Sequence, residues 1–179
     1  MAPDQIKKGL NALLPEDILI KEAGYVPFDF HSRYSARSKV YEYRILNRRL
    51  PDVFLRGSSW HIRNQLDLLK MAKCASSLIG IHDFSSFQSS GSGNLNPIKT
   101  MMKANLYVPM NGLLRFVFEA DGFLRHMVRN IVGTIVEVGR GKFSYEDFYG
   151  IFQVQYACHM GCGYLAHTVP HHCIGYDAP

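Results

Sequence analysis

Between Gly122 and Lys142 the sequence GFLRHMVRNIVGTIVEVGRGK places Phe123, Met127, Val128, Ile131, Val132, Ile135, Val136 and Val138 at three- and four-residue steps. That is the period of an amphipathic helix, and a helix this apolar must bury one side in a core. The pattern predicts the helix from Gly122 onward. Arg125, Arg129 and Gly133 then form an i, i+4, i+8 row with His126 and Asn130 beside it, so the other side carries a stripe of donors and one bare patch of backbone. Such a stripe calls for an acceptor.

The remaining sequence limits what that acceptor is. At 179 residues and 47% hydrophobic, the chain can fill one ordinary core. No apolar run approaches the roughly 18 residues of a membrane span. The opening MAPDQIKK lacks the apolar centre of a secretory signal, so residues 1–8 read as a leader and a soluble, cytoplasmic protein is expected. All 20 Lys and Arg lie at or before Lys142, against 12 acidic residues in the same stretch. A basic body of this kind implies an anionic partner. In KVYEYRILNRR and RGSSWHIR, aromatics stand among the cations. Nucleic acid suits that mixture, since cations meet phosphate and rings stack on exposed bases. A solvated surface with tyrosines turned to a core fits it equally well.

Alternation predicts a short strand at Asp17–Ile20 and a longer one at Lys39–Asn47, with Tyr41, Tyr43 and Ile45 on one face. A helix is expected over Gln65–Ile79 with Gly80 as its stop. Strands follow at Ile98–Val108 and Leu113–Ala120, joined by a turn at Pro109–Gly112. Ser144, Glu146 and Asp147 open a short helix to about Phe152. This order describes an α+β fold with a mostly antiparallel sheet and helices packed on one face.

Four segments together resemble the C-terminal part of the tRNA pseudouridine synthase A family: GLNALLPEDI (Gly9–Ile18), FHSRYSARSKVYEYRILN (Phe30–Asn47), GIHDFSSF (Gly80–Phe87) and GFLRHMVRNIVGTIVEVGRGK (Gly122–Lys142). The resemblance covers residues 9–152 in order and implies a pseudouridine synthase-like fold. It also implies isomerisation of uridine to pseudouridine in tRNA, on the 3′ side of the anticodon stem-loop, by a homodimer that needs no metal or redox cofactor. The chemistry calls for a carboxylate beside the ribose and a nucleotide drawn out of its stack. In the family that carboxylate is an aspartate of a G-R-T-D-A-G-V-H-like loop. No such loop occurs in this sequence, so the chain reads as a catalytic lobe lacking its aspartate and inactive alone. Asp83 and Asp121 do not occupy the matching position; Asp83 is expected to cap a turn ahead of core residues Phe84 and Phe87.

By the same resemblance, Tyr41 matches the tyrosine that packs on the target uracil. Arg129 matches the arginine that pairs with the aspartate, where a guanidinium holds a carboxylate ionised through two parallel donors. Arg125 and His126 would reach phosphate or sugar. Arg33, Arg37, Lys39, Arg44, Arg48 and Arg49 form the expected backbone-binding surface. A non-catalytic RNA-binding module is the alternative for the same features.

After Phe152 the resemblance fades into a divergent tail, residues 153–179, with three of the four Cys, four of the eight His and no basic residue. An out-of-frame reading and divergence around the loop AHTVP (Ala166–Pro170) both fit that shift. Cys158, Cys162, His167, His171, His172 and Cys173 are metal-ligand types, but the spacing C-x3-C-x4-H-x3-H lacks a zinc finger's long middle segment. No metal is expected there.

Overall fold

The computed structural model describes residues 1–32, 34–89, 96–153 and 173–178. They form two compact units, Met1–Ser35 and Ala36–Pro179.

In the first unit, helix α1 (Pro3–Leu13) opens on a proline whose fixed φ suits the first helical turn. The strand expected at Asp17–Ile20 does not form. The Asn11 side-chain amide donates to the Ile20 carbonyl at 3.0 Å and accepts from the Ile20 amide at 2.7 Å. A side chain thus takes the two backbone groups that a neighbouring strand would have used. No described side chain of this unit is buried.

The second unit is built on β1 (Ser38–Asn47), β2 (Trp60–Ile62), α2 (Leu68–Ser76), β3 (Gly80–Asp83), β4 (Ile98–Tyr107), β5 (Leu113–Ala120), α3 (Met127–Gly139), α4 (Tyr145–Gln153) and β6 (Cys173–Ala178). The strands make one six-stranded sheet in the order β2-β1-β5-β4-β3, with β6 also paired to β1. β1 runs antiparallel to β5 from Lys39 opposite Ala120 to Leu46 opposite Leu113. β6 takes the other edge of its first half, antiparallel, and the short β2 the end of its second half, parallel. β1 is therefore central. The Asn47 side chain secures its end, donating to the carbonyls of Ile62 (3.0 Å) and Asn64 (2.7 Å).

One face of the sheet builds the core. In β5, Leu114, Phe116, Phe118 and Ala120 are buried while their neighbours are not, a two-residue period. With Tyr43, Ile45, Met101 and Ala104 they meet Met71, Cys74 and Ala75 of α2, the apolar side chains of α3, and Phe148 of α4. The expected α+β architecture, with helices on one face, is the one found.

Two helix starts differ from expectation. α2 begins at Leu68 because the Asp67 carboxylate caps it, accepting from the Lys70 amide at 3.1 Å. α2 also ends early, at Ser76 with Ser77 as its C-cap, so Gly80, at φ +121°, is not its stop but the first residue of β3. α3 begins at Met127, five residues after Gly122, because His126 is left-handed at φ 60° and residues 122–126 form a loop. Phe123 packs against the core from that loop without being helical, which is why the apolar period ran through it. Asp121, which could have capped a helix from Gly122, instead accepts from the Thr100 amide at 3.1 Å.

Candidate active site

The consequence of this helix start is that Arg125, Arg129 and Gly133 do not form one helical row. Nor does α3 present a wet side: of its residues only Arg129 falls short of burial. Of the expected donor stripe, Asn130 faces protein, Arg129 is half-buried, and Arg125 and His126 stay exposed ahead of the helix. Asn130, buried, donates from its side-chain amide to the Phe87 carbonyl at 2.8 Å, and Thr134 donates to the Asn130 carbonyl at 2.9 Å.

What covers the start of α3 is the segment 84–89. The amide of Ser89 donates to the Arg125 carbonyl at 3.2 Å, and its hydroxyl lies 3.0 Å from Nδ1 of His126. Together with the Asn130 bond, these clamp GIHDFSSF and its continuation to RHMVRN at three successive points. Asp83 caps the turn as expected, accepting from the Ser85 amide at 2.8 Å. Phe84 and Phe87 are fully buried. The clamp was not foreseen from sequence; the only hint was a run of Ser and Asn, residue types that bond backbone locally.

Tyr41 lies on the helix-covered face of β1, opposite Phe118, half-buried at the rim of the core. Its ring meets Phe123 edge to face, centroids 4.7 Å apart. Phe123 belongs to the loop that delivers α3, and β1 packs against α3, so the tyrosine and the start of α3 stand at the same end of the sheet. Arg129, in the first turn of α3, is half-buried with its Nε enclosed. The positive end of a 13-residue helix adds to its charge. This end of the sheet thus carries an aromatic ring on β1 and a guanidinium in the first turn of α3.

The other predicted cations do not converge on one spot. Exposed Arg37 and half-buried Lys39 flank the start of β1, and exposed Arg125 and His126 sit at the entry to α3. Arg48 and Arg49 follow the far end of β1, where Arg48 pairs with Asp52 at 2.8 Å. Arg44 lies on the outer face, its Nε 2.6 Å from Oε1 of Glu42. Arg115 donates to the other oxygen of the same carboxylate. On that face too, Glu119 pairs with Lys103 at 2.6 Å and accepts from the Ser38 hydroxyl at 3.2 Å. These cross-strand partnerships depend on register, which single-strand alternation does not reveal. Arg33 and the candidate metal ligands Cys158, Cys162, His167, His171 and His172 lie outside the described residues. No described helix is long and apolar enough to cross a membrane.

Comparison with known proteins bears on this arrangement directly. The model of a family described as tRNA pseudouridine synthase matches residues 74–167, the stretch carrying the end of α2, the segment 84–89, the β4–β5 hairpin, α3 and α4. The tRNA pseudouridine synthase A of Moorella thermoacetica is 49% identical over 138 residues, covering 76% of this chain and 55% of the relative. That of Acetivibrio thermocellus is 42% identical over 144 residues, 80% of this chain and 59% of its own length. The tRNA pseudouridine synthase A 2 of Clostridium tetani is 38% identical over 158 residues, 88% and 63% respectively. The chain thus spans about three-fifths of the length of the relatives it matches. With a family model fitting just over half of its residues, laid over the segments that build the Arg129 site, this chain belongs to the tRNA pseudouridine synthase family.

Proposed function

We propose that the chain supplies the tyrosine and arginine half of a site that isomerises uridine to pseudouridine in tRNA. The N-glycosidic bond breaks, the uracil turns while held, and its C5 bonds to the sugar carbon that N1 left, giving up its proton while N1 ends protonated. Tyr41 gives the base a ring to rest on at the core rim. Arg129 gives the reacting carboxylate a fixed cation, keeping it ionised beside the ribose. The observation that carries this reading is the joint placement of Tyr41 and the first turn of α3 at one end of the sheet, bridged by the Tyr41–Phe123 contact.

The carboxylate belongs to an aspartate loop of which this sequence holds no counterpart. The substrate follows the family resemblance: uridines on the 3′ side of the anticodon stem-loop, bound by a cytoplasmic homodimer whose two subunits contact one tRNA. Arg37, Lys39, Arg125 and His126, with Arg33, Arg44, Arg48 and Arg49, are the phosphate- and sugar-facing set. A second reading, an RNA-binding module without chemistry, draws on the same basic and aromatic surface.

One experiment separates the two. The 179-residue chain is incubated with tRNA, alone and with a polypeptide carrying the G-R-T-D-A-G-V-H-like loop, and pseudouridine is quantified. The chain alone should form none, and the mixture should turn over. In the mixture, Arg129→Ala should lower turnover by roughly a hundredfold, the scale of losing a fixed electrostatic partner. Binding without turnover in any mixture would favour the module, and turnover by the chain alone would refute the split-site reading.

A further inference from the structure

The connection between β1 and β2, residues 48–59, shows Leu50, Val53 and Phe54 to solvent, 72%, 85% and 95% exposed. The backbone beneath them is held firmly. Arg48 donates to the Leu50 carbonyl at 2.9 Å and to the Asp52 carboxylate at 2.8 Å. Asp52 in turn accepts from the Phe54 amide at 2.9 Å. The Leu55 carbonyl accepts from the amides of Ser58 and Ser59, each at 3.0 Å, and from the Ser59 hydroxyl at 2.9 Å. A ring nitrogen of His61 lies 2.8 Å from the Arg48 carbonyl, tying the connection to β2. Phe54 is thus presented outward by a preorganised frame.

Its surroundings are cationic. From Arg48 to Arg63 the sequence holds four Arg and a single acid, Asp52, and that acid is occupied by Arg48. Arg49, Arg56 and Arg63 are exposed and enter no ion pair among the described residues. An outward ring beside unneutralised guanidinium groups matches single-stranded nucleic acid, whose bases offer a π-face and whose backbone offers phosphate. It suits a second copy of this chain poorly, because a two-fold contact would set the same arginines against themselves.

We propose that residues 48–59 form a stacking platform for an unpaired base of RNA, Phe54 covering the base and Arg49 and Arg56 taking the adjacent phosphates. The proposal rests on the RNA reading above and extends it. Tyr41 and Asn47 are separated by six strand steps, about 20 Å, so the base held here is a different nucleotide from the one at Tyr41. The platform fixes where the rest of the RNA lies.

The test is fluorescence anisotropy of the full chain with a labelled tRNA anticodon stem-loop over a range of salt concentrations, using Phe54→Ala, Phe54→Trp and Arg56→Gln. A side chain this exposed can be replaced without disturbing the core. Phe54→Ala should weaken binding about 5- to 100-fold with an unchanged slope of log affinity against log salt, since no phosphate contact is lost. Phe54→Trp should bind at least as tightly as the unaltered chain. Arg56→Gln should reduce the slope by about one. Phe54→Ala should have no effect on a fully paired duplex. RNA binding that Phe54→Ala leaves unchanged overturns the platform alone, as does a dimer that Phe54→Ala dissociates in sedimentation velocity. Failure of the unaltered chain to bind RNA overturns both this proposal and the reading it rests on.

Discussion

Glu42 shows how much a single residue can hide from a sequence reading. It stands on the outer face of β1, largely buried, with one oxygen on Arg44 and the other on Arg115. The Arg115 hydrogen bond, then the Arg44 one, hold its carboxyl below its ordinary value of 4.5 against the opposing effect of burial. With the folded value depressed, the unfolded chain takes up the proton first as pH falls. The stabilisation is therefore complete above 4.5 and disappears as pH drops through the folded value. Glu42→Gln should cost about 1–3 kcal/mol in urea unfolding near neutral pH and flatten the loss of stability below 4.5. Equal stability at neutral pH, with an unaltered acid slope, would show the pair of arginines to be indifferent to the carboxylate. The sequence announced Arg44 as a cation near aromatics, which it is. That the same carboxylate also takes Arg115, 71 positions beyond Arg44, depends on the strand register that sets the two arginines opposite each other. Asp83, Phe84 and Phe87, by contrast, were legible because a turn cap and buried aromatics follow from local chemistry alone.

At the level of elements, β1, β4 and β5 were legible almost to the residue, whereas β2, β3 and β6 were not foreseen, the strand expected at Asp17–Ile20 does not form, and the starts of α2 and α3 were missed. β5 was found at its expected limits because alternation over eight residues has no helical counterpart. α3 lost its first turn to the left-handed His126, a conformation no periodicity signals. The α2–α3 contact was likewise invisible. The Gly139 carbonyl accepts from the Asp67 amide at 2.9 Å, bringing the end of α3 against the start of α2. A Cβ at Gly139 would lie 2.5 Å from Sδ of Met71 and 2.8 Å from its Cγ. Met71 is fully buried, so its sulfur cannot swing into solvent. Gly139→Ala should therefore destabilise by about 1–3 kcal/mol, despite the roughly 1 kcal/mol that Ala gains over Gly in a helix interior. In a double-mutant cycle with Met71→Ala, the two costs should sum to more than the double variant shows, because removing the thioether removes the clash. Strict additivity would place the penalty elsewhere.

Over the whole molecule, burial is divided unequally. Every member of the buried core lies beyond Ala36, while the described residues of Met1–Ser35 bury no side chain. Composition alone could not show this, since Ile6, Leu10, Leu13 and Leu19 are as apolar as any core residue and are nevertheless exposed. Stability should then reside in the second unit, and Cys74 offers a means of asking. Its thiol sits in the core on α2, fully buried, and burial pushes its pKa up to about 11. Near neutral pH it is both inaccessible and protonated, so alkylation must wait for unfolding. A chain trimmed to begin at Ala36 should unfold cooperatively within about 4 °C of the full chain, a shift of no more than about 1 kcal/mol for a protein of this size. Peptide mapping after iodoacetamide treatment should find Cys74 protected to the same degree in both chains. Rapid labelling of Cys74 in the trimmed chain would mean that residues 1–35 hold the core closed, and the unequal division of burial would no longer describe where stability comes from.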